Sequence, residues 1–190
     1  MKTPSPSLLS LALVHYPVVN KHGEVVTTSI TNFDLHDLAR TSKTYGVSYY
    51  IITPNPAQQN MARYIHNYWQ EGIGASFNPD RSEAFDAMEV SESIADTCLT
   101  IEKLHGKPPT LIATSARSIK NNISFNKLRE DLTQNDRPFL LLFGTGWGLA
   151  PEVLEKVDFI LEPICGVGSY NHLPVRSAVA IILDRLLGKF

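Results

Sequence analysis

Apolar and polar positions alternate along this chain with two different periods, and the switches between them lay out its elements. Leu9 to His15 is a short, nearly continuous apolar run, which predicts a buried strand. Asn20-Lys-His-Gly-Glu24 is a turn signal. Thr31 or Asn32 can cap a helix from Asp34 to Tyr45, with Asp34 in its first turn and Gly46 as its stop. Leu35, Leu38, Ala39, Ser42 and Tyr45 then share one face. Ser48 to Ile52 predicts a second strand, closed by Thr53-Pro-Asn-Pro56, and a helix follows from Ala57 to Gln70. Residues 72 to 81 read as irregular, with Asn78-Pro-Asp80 a turn, Ala84 to Val90 as a third strand, and Ser91 as the cap of a helix to His105 with Ile94, Cys98 and Ile101 inward. Thr110 to Thr114 predicts a strand, Phe125 to Leu132 a short helix, Phe139 to Phe143 a strand and Pro151 to Glu155 a helical turn. Asp158 to Glu162 predicts the final strand and Val175 to Leu187 the last helix.

Strands and helices in this order imply an α/β layer fold, a mainly parallel sheet with helices on both faces. Phe139 to Phe143 is apolar on both sides, as a parallel strand covered twice must be. No repeat, low-complexity segment or linker interrupts the pattern, so residues 1–190 read as a single domain, with 1–7 a disordered tail. The last helix is apolar around most of its circumference. Val175, Ala178, Val179, Ile182 and Leu186 form one stripe, and Ala180, Ile181 and Leu183 widen it. Such a helix must be covered on two sides. The sheet takes one, and a second subunit is the expected cover for the other.

Composition narrows the class. The chain has 190 residues, 43% hydrophobic and 19% charged, with a net charge of −2. That is enough for one core and is ordinary for a soluble domain. It argues against a strongly basic nucleic-acid binder, although a partner feels a local patch and not the sum. No apolar run approaches the roughly 20 residues of a membrane span, and Pro4 and Pro6 fit poorly in a targeting segment. Cys98 and Cys165 are the only cysteines, too few for a disulfide framework, so a reducing cytoplasm is the expected setting. Cys98 falls on an apolar helix face and Cys165 in a glycine loop. No spacing resembles a zinc site, and no metal is expected.

Three predicted strand ends are rich in small polar residues: Thr114-Ser-Ala-Arg117, Gly144-Thr-Gly-Trp-Gly-Leu149, and Pro163 to Leu173. Ligands of open α/β sheets bind beyond the carboxyl ends of strands, and glycine lets backbone approach a ligand closely. The loops lack the Lys-Ser/Thr ending of a phosphate-cradling loop and the dinucleotide signature after the first strand. A pocket for an adenosine without a long phosphate chain fits best. A second cluster lies on the first helix, where His36, Arg40 and Lys43 share a flank with Asp37 beside them. Arg40 suits bidentate grip of a phosphate, and an Asp37–Arg40 surface bridge is the ordinary alternative. Arg63, Arg117, Lys120, Lys127, Arg129 and Arg176 could form a basic rim for phosphates. Tyr64, Tyr68 and Trp69 lie at helical spacing and are expected to pack.

These residues carry a resemblance. Asn32 to Val47, with Arg40-Thr41 and Tyr45-Gly46-Val47, resembles the arginine-bearing first motif of the SPOUT RNA methyltransferases. Phe143 to Leu149 resembles the second motif, and Pro163 to Ile182 the third, with Tyr170-Asn171-His172 replacing a Ser-Leu-Asn. His15-Tyr16-Pro17, Gly23-Glu24 and Thr31 to Arg40 are similar to a bacterial group of stand-alone members of that superfamily. The resemblance implies a deep trefoil knot at the carboxyl end (the α/β-knot), an obligatory homodimer, an RNA substrate and S-adenosyl-L-methionine held by the knot loops. The cofactor residues it implies are Thr114, Ser115, Gly144, Thr145, Gly146, Gly148, Ile164, Gly166, Tyr170, Asn171, Leu173 and Ser177. Asn171 and His172 would line the methyl end, Arg40 of a second subunit would orient the target nucleotide, and His36 or Asp37 would take the proton. Gly146 and Trp147 stand where the second motif usually holds a Glu, and Asp34 stands where the first motif holds an Asn. Ribose and base methylation therefore both stay open. The rival from another class is a non-catalytic adenosine- or RNA-binding dimer of the same fold. A third reading, an ordinary doubly wound nucleotide enzyme, lacks its phosphate-binding turn.

Overall fold

The structure, a computed structural model, describes residues 8–117, 119, 122–168 and 170–189. The predicted tail at 1–7, Lys120 and Ser169 lie outside the described residues.

Seven strands form one sheet in which every pairing is parallel. β1 (Leu9–Val14) is wholly buried and lies between β4 (Ser48–Ile52) and β8 (Phe139–Gly144). β5 (Met88–Ser91) flanks β4, and β6 (Thr110–Ala113) flanks β8. β9 (Phe159–Leu161) then pairs between β6 and β7 (Asn122–Ile123). The connection from β6 to β7 therefore spans the strand that arrives later in the chain. Alternate side chains feed two cores. Leu9, Leu11 and Leu13 of β1 join Phe139, Leu141 and Phe143 of β8 on one face, while Ala12 and Val14 join Leu140 and Leu142 on the other. Each large side chain so buried is worth roughly 1.5–3 kcal/mol.

The first face is covered by α1 (Asn32–Tyr45), α2 (Pro56–Gln70), α6 (Phe125–Gln134) and α8 (Val175–Leu187). The second is covered by α5 (Ile94–His105) and α7 (Pro151–Leu154). α1 starts and stops where its caps dictate. The Thr31 hydroxyl accepts from the Asp34 amide while the Asp34 carboxylate accepts from the Thr31 amide, and Gly46 ends the helix at φ 68°. On α8, Val179, Ile182, Leu183 and Leu186 are buried, whereas Ala178, Ala180 and Ile181 are half-buried.

Four expectations need correction. Residues 72–81 are not irregular: α3 (Ile73–Phe77) and α4 (Pro79–Phe85) occupy them. Asn78 caps α4, accepting from the Arg81 amide at 3.0 Å, and Pro79 opens it, so the Asn-Pro pair is a helix start and not a turn. Ala84 and Phe85 belong to that helix, and the strand begins only at Met88. Ser93, not Ser91, caps α5 through the Asp96 amide, because Ser91 still pairs in β5. The turn at 20–24 closes a hairpin of β2 (Val18–Val19) and β3 (Val25–Val26).

Candidate functional site

The carboxyl ends of β6, β8 and β9 open into one cleft of about 1090 Å³. Leu149, Leu154, Ile164, Val175, Ala178 and Ile182 give it an aliphatic lining, and the hairpin contributes Val19, Asn20, Lys21 and Gly23.

The loop after β8 has its path set by glycine. A Cβ on Gly144 would strike the backbone nitrogen of Leu149 and lie 2.7 Å from the carbonyl carbon of Gly148. Gly148 has φ +108°, a conformation L side chains rarely adopt. The loop is not a row of bare amides. The Thr145 amide donates to Val14 at 3.2 Å, that of Trp147 to Val19 at 2.9 Å, and that of Gly148 to Thr145 at 3.0 Å, while the Val19 amide donates to Gly148 at 3.0 Å. This wall of the cleft is thus stitched to the hairpin. The other two loops meet each other. The Asn171 side-chain amide donates to the Ala116 carbonyl at 2.8 Å, and Ser115 Oγ accepts from the Arg117 amide at 3.0 Å.

Of the anticipated cofactor residues, Thr114, Ser115, Gly144, Thr145, Gly146, Gly148, Ile164, Asn171 and Leu173 line the cleft, as does His172. Gly166, Tyr170 and Ser177 do not. A Cβ on Gly166 would meet nothing within 4 Å, and Tyr170 is 79% exposed with its ring against His172. Ser177 sits one residue before Ala178, and a helix turns adjacent side chains about 100° apart.

None of Arg40, His36 or Asp37 reaches the cleft of its own chain. The Asp37–Arg40 bridge is absent. Arg176 of α8 takes both acids instead, Nη1 to Asp34 Oδ1 at 3.3 Å and Nε to Asp37 Oδ2 at 3.3 Å. Arg40 is exposed, without an ion pair or side-chain hydrogen bond among the described residues, and borders a shallow depression between α1 and α8 with Thr41, Thr44, Tyr45 and Ala180. His36 points to the opposite side, edge-on to Phe85 (5.0 Å) and Trp69 (5.6 Å). Burial lowers its pKa, and Arg81 adds to the effect. Lys43 leaves that flank for Glu83 and Asp86.

The basic rim disperses. Arg117 lines the cleft, Arg176 is paired, Lys127 bridges to Asp131 at 2.8 Å and Arg129 donates to the Gly188 carbonyl at 2.8 Å. Trp69 packs on the core as expected, but Tyr64 faces outward at 75% exposure. Cys98 is half-buried, and burial pushes its thiol up to about 11. Sequence reasoning missed the hairpin, Thr28, Ser29 and buried Asp34 as cleft residues. The one local signal was the Thr31–Asp34 capping box, which seats Asp34 at the mouth. No group of three or more His, Cys, Asp or Glu among the described residues could hold a metal, and no helix among them is long and apolar enough to cross a membrane.

An aliphatic cleft edged by glycine backbone at the ends of parallel strands defines an α/β protein with a small-molecule site at the carboxyl edge of its sheet. Sequence comparison narrows that class: the chain belongs to the family described as SAM-dependent RNA methyltransferase, whose profile matches residues 8–188. An uncharacterized protein of Aquifex aeolicus (strain VF5) is 41% identical over 180 residues, 94% of this chain and 88% of that protein. A tRNA (guanine-N(1)-)-methyltransferase of Oleidesulfovibrio alaskensis is 46% identical over 181 residues, 95% of this chain and 42% of that protein. The chain thus spans less than half the length of that enzyme. Among solved structures, the SpoU methyltransferase AviRb from Streptomyces viridochromogenes in complex with AdoMet aligns with a TM-score of 0.58 at 15% identity, over 96% of this chain and 57% of that one. The A. aeolicus TrmH/SpoU tRNA modifying enzyme aligns at 0.55 and 20%, over 95% and 74%. These likenesses establish the fold, that of the SPOUT methyltransferases.

Proposed function

We propose that this chain binds S-adenosylmethionine in the strand-end cleft and, as a homodimer, methylates tRNA. The observation that carries the reading is the meeting of three strand-end loops around one aliphatic cleft. The residues fit the cofactor: Ile164, Leu149 and Ala178 offer a purine an apolar bed, and Thr114, Ser115 and Asn171 offer polar edges. When bound, the cofactor supplies a methyl group on a sulfonium, activated for in-line displacement. The protein's task is then alignment, which can contribute roughly 7–11 kcal/mol when reactants are held close.

The chain's own residues divide that task. Gly144 to Gly148 shape the ligand-facing wall, and Asn171 ties the third loop to the first. Arg176 holds Asp34 and Asp37, which leaves Arg40 unpaired on the α1–α8 face. That face carries the half-buried Ala180 and Ile181 and is the surface we assign to the second subunit, so that Arg40 serves the partner's cleft as a phosphate grip. With His36 turned toward Trp69, Asp37 is the remaining candidate to take the proton. The knot follows if the chain after β9 passes beneath the β6–β7 connection. tRNA is the proposed substrate class because the 46%-identical relative carries a matching stretch within a longer polypeptide named a tRNA methyltransferase.

The test is calorimetric titration with S-adenosylhomocysteine, followed by labelled methyl transfer to total RNA, separated into tRNA and rRNA, from cells lacking this protein. Saturable heat and label in one nucleoside are expected, and nucleoside analysis then decides between ribose and base. Absence of heat would refute the cofactor site, and label in rRNA alone would refute the substrate.

A further inference from the structure

His15 follows β1 at full burial, next to the glycine loop, and no step above uses it. Its Nδ1 lies 3.0 Å from Thr28 Oγ1. Thr28 Oγ1 meets Thr145 Oγ1, which in turn lies 3.0 Å from the Val14 carbonyl. Counting protons leaves two ways to run this chain. In one, Thr145 donates to Val14 and accepts from Thr28, which accepts from a protonated His15 Nδ1; in the other, Thr145 donates to Thr28, which donates to a bare Nδ1. Val14 also accepts from the Thr145 amide at 3.2 Å, and Thr28 Oγ1 lies 3.5 Å from the His15 carbonyl. The first way makes every side-chain contact of the chain and the second forgoes that of Thr145 with Val14, so the first, with Nδ1 protonated on a neutral imidazole, is favoured. The remaining Nε2 is buried with no partner. An orphaned buried ring nitrogen is costly, and the Nδ1 contact with Thr28 is the polar contact that sets this side chain apart from an aliphatic one of similar size.

The use of that contact is visible in what the relay joins. Thr28 follows the hairpin, Thr145 belongs to the glycine loop, and both line the cleft. The relay is the side-chain counterpart of the backbone bonds between Val19, Trp147 and Gly148.

We propose that His15 is a positioning residue of the cofactor site: by donating through Thr28 to Thr145, it locks hairpin and glycine loop into one wall before any ligand arrives. The proposal rests on the reading of the cleft as the S-adenosylmethionine site.

Three substitutions separate this role from mere filling of space. His15→Asn keeps a donor near the Nδ1 position, His15→Gln moves it to the Nε2 position, and His15→Leu removes it. Thr28→Val breaks the relay in the middle without touching the imidazole. Calorimetry with S-adenosylhomocysteine should show binding weakened about fivefold to tenfold in the Gln, Leu and Thr28 variants, the equivalent of one net hydrogen bond, with the Asn variant near wild type. In the free proteins, amide exchange at Val19 and Trp147 should quicken in the same three and not in Asn. Nitrogen spectra of the wild-type imidazole should place the proton on Nδ1. A proton on Nε2, or wild-type affinity and exchange in both the Gln and Thr28 variants, overturns the proposal. Should wild type itself bind nothing, the cofactor reading falls, and exchange in the free proteins still decides for or against the relay. Should the Leu variant fail to fold, the Asn–Gln contrast carries the same decision.

Discussion

At Gly144 an added Cβ would strike the backbone of Leu149, whereas at Gly166 and Gly168 it would meet no atom within 4 Å. The two loops follow β8 and β9, the strands on either side of β6, and both carry glycines, yet only the first is built. Gly146 and Gly148 hold positive φ, the hairpin is hydrogen-bonded across the loop, and the His15 relay lies behind it. In the second loop, Val167 and Tyr170 project into solvent, and Asn171 makes the link to Ala116. Glycine in the first loop is a requirement of the apo fold. In the second it leaves room for whatever arrives, ligand or partner subunit. A cleft with one preformed wall and one open wall is expected to order the open wall when a ligand binds.

The contrast can be broken by substitution. Gly144→Val forces a backbone collision and should destabilise the protein by about 3 kcal/mol, the upper end of overpacking costs, with loss of cofactor binding; denaturant melts check it. A comparable loss comes from acid. Burial lowers the His15 pKa from 6.5 to about 4, with Asp34 opposing weakly. The unfolded chain therefore takes up its proton first as pH falls. This contribution is complete above about pH 6.5 and lost progressively down to about pH 4, some 3 kcal/mol in all. His36 is lowered too and adds in the same sense. Melts from pH 7 to 4.5 should show the slope, and His15→Leu should flatten it. Gly148→Ala, at φ +108°, should cost about 1–3 kcal/mol of strain, readable as a lowered Tm. Gly166→Val should change stability by less than about 0.5 kcal/mol, as exposed positions do; a drop as large as that of Gly148→Ala would erase the distinction between the loops.

How much of this was legible in the sequence depended on how local the cause was. α1 and β4 could be placed because their caps and stops, Thr31, Asp34 and Gly46, are neighbours in the chain. The glycine loop after β8 was visible because strand and glycines adjoin. Elements of two residues, such as β2 and β7, have no period to detect and exist through their partners. α4 was hidden because Asn78-Pro79 serves turns and helix starts alike. At the site, the Arg176 pairs with Asp34 and Asp37 join α8 to α1 across most of the chain, so helical spacing suggested Arg40 as the partner. His36 was taken for a polar flank because only the fold brings Phe85 beside it. The Thr28–Thr145 contact is likewise invisible until hairpin and loop meet.

Hydrogen–deuterium exchange with and without S-adenosylhomocysteine tests the central claim most directly. The account predicts that segment 144–149 is already slow in the free protein and changes little, while segment 163–173 is fast and slows strongly on binding. Equal exchange of both segments in the free protein, or ligand-induced protection confined to α2 and α3, would contradict it.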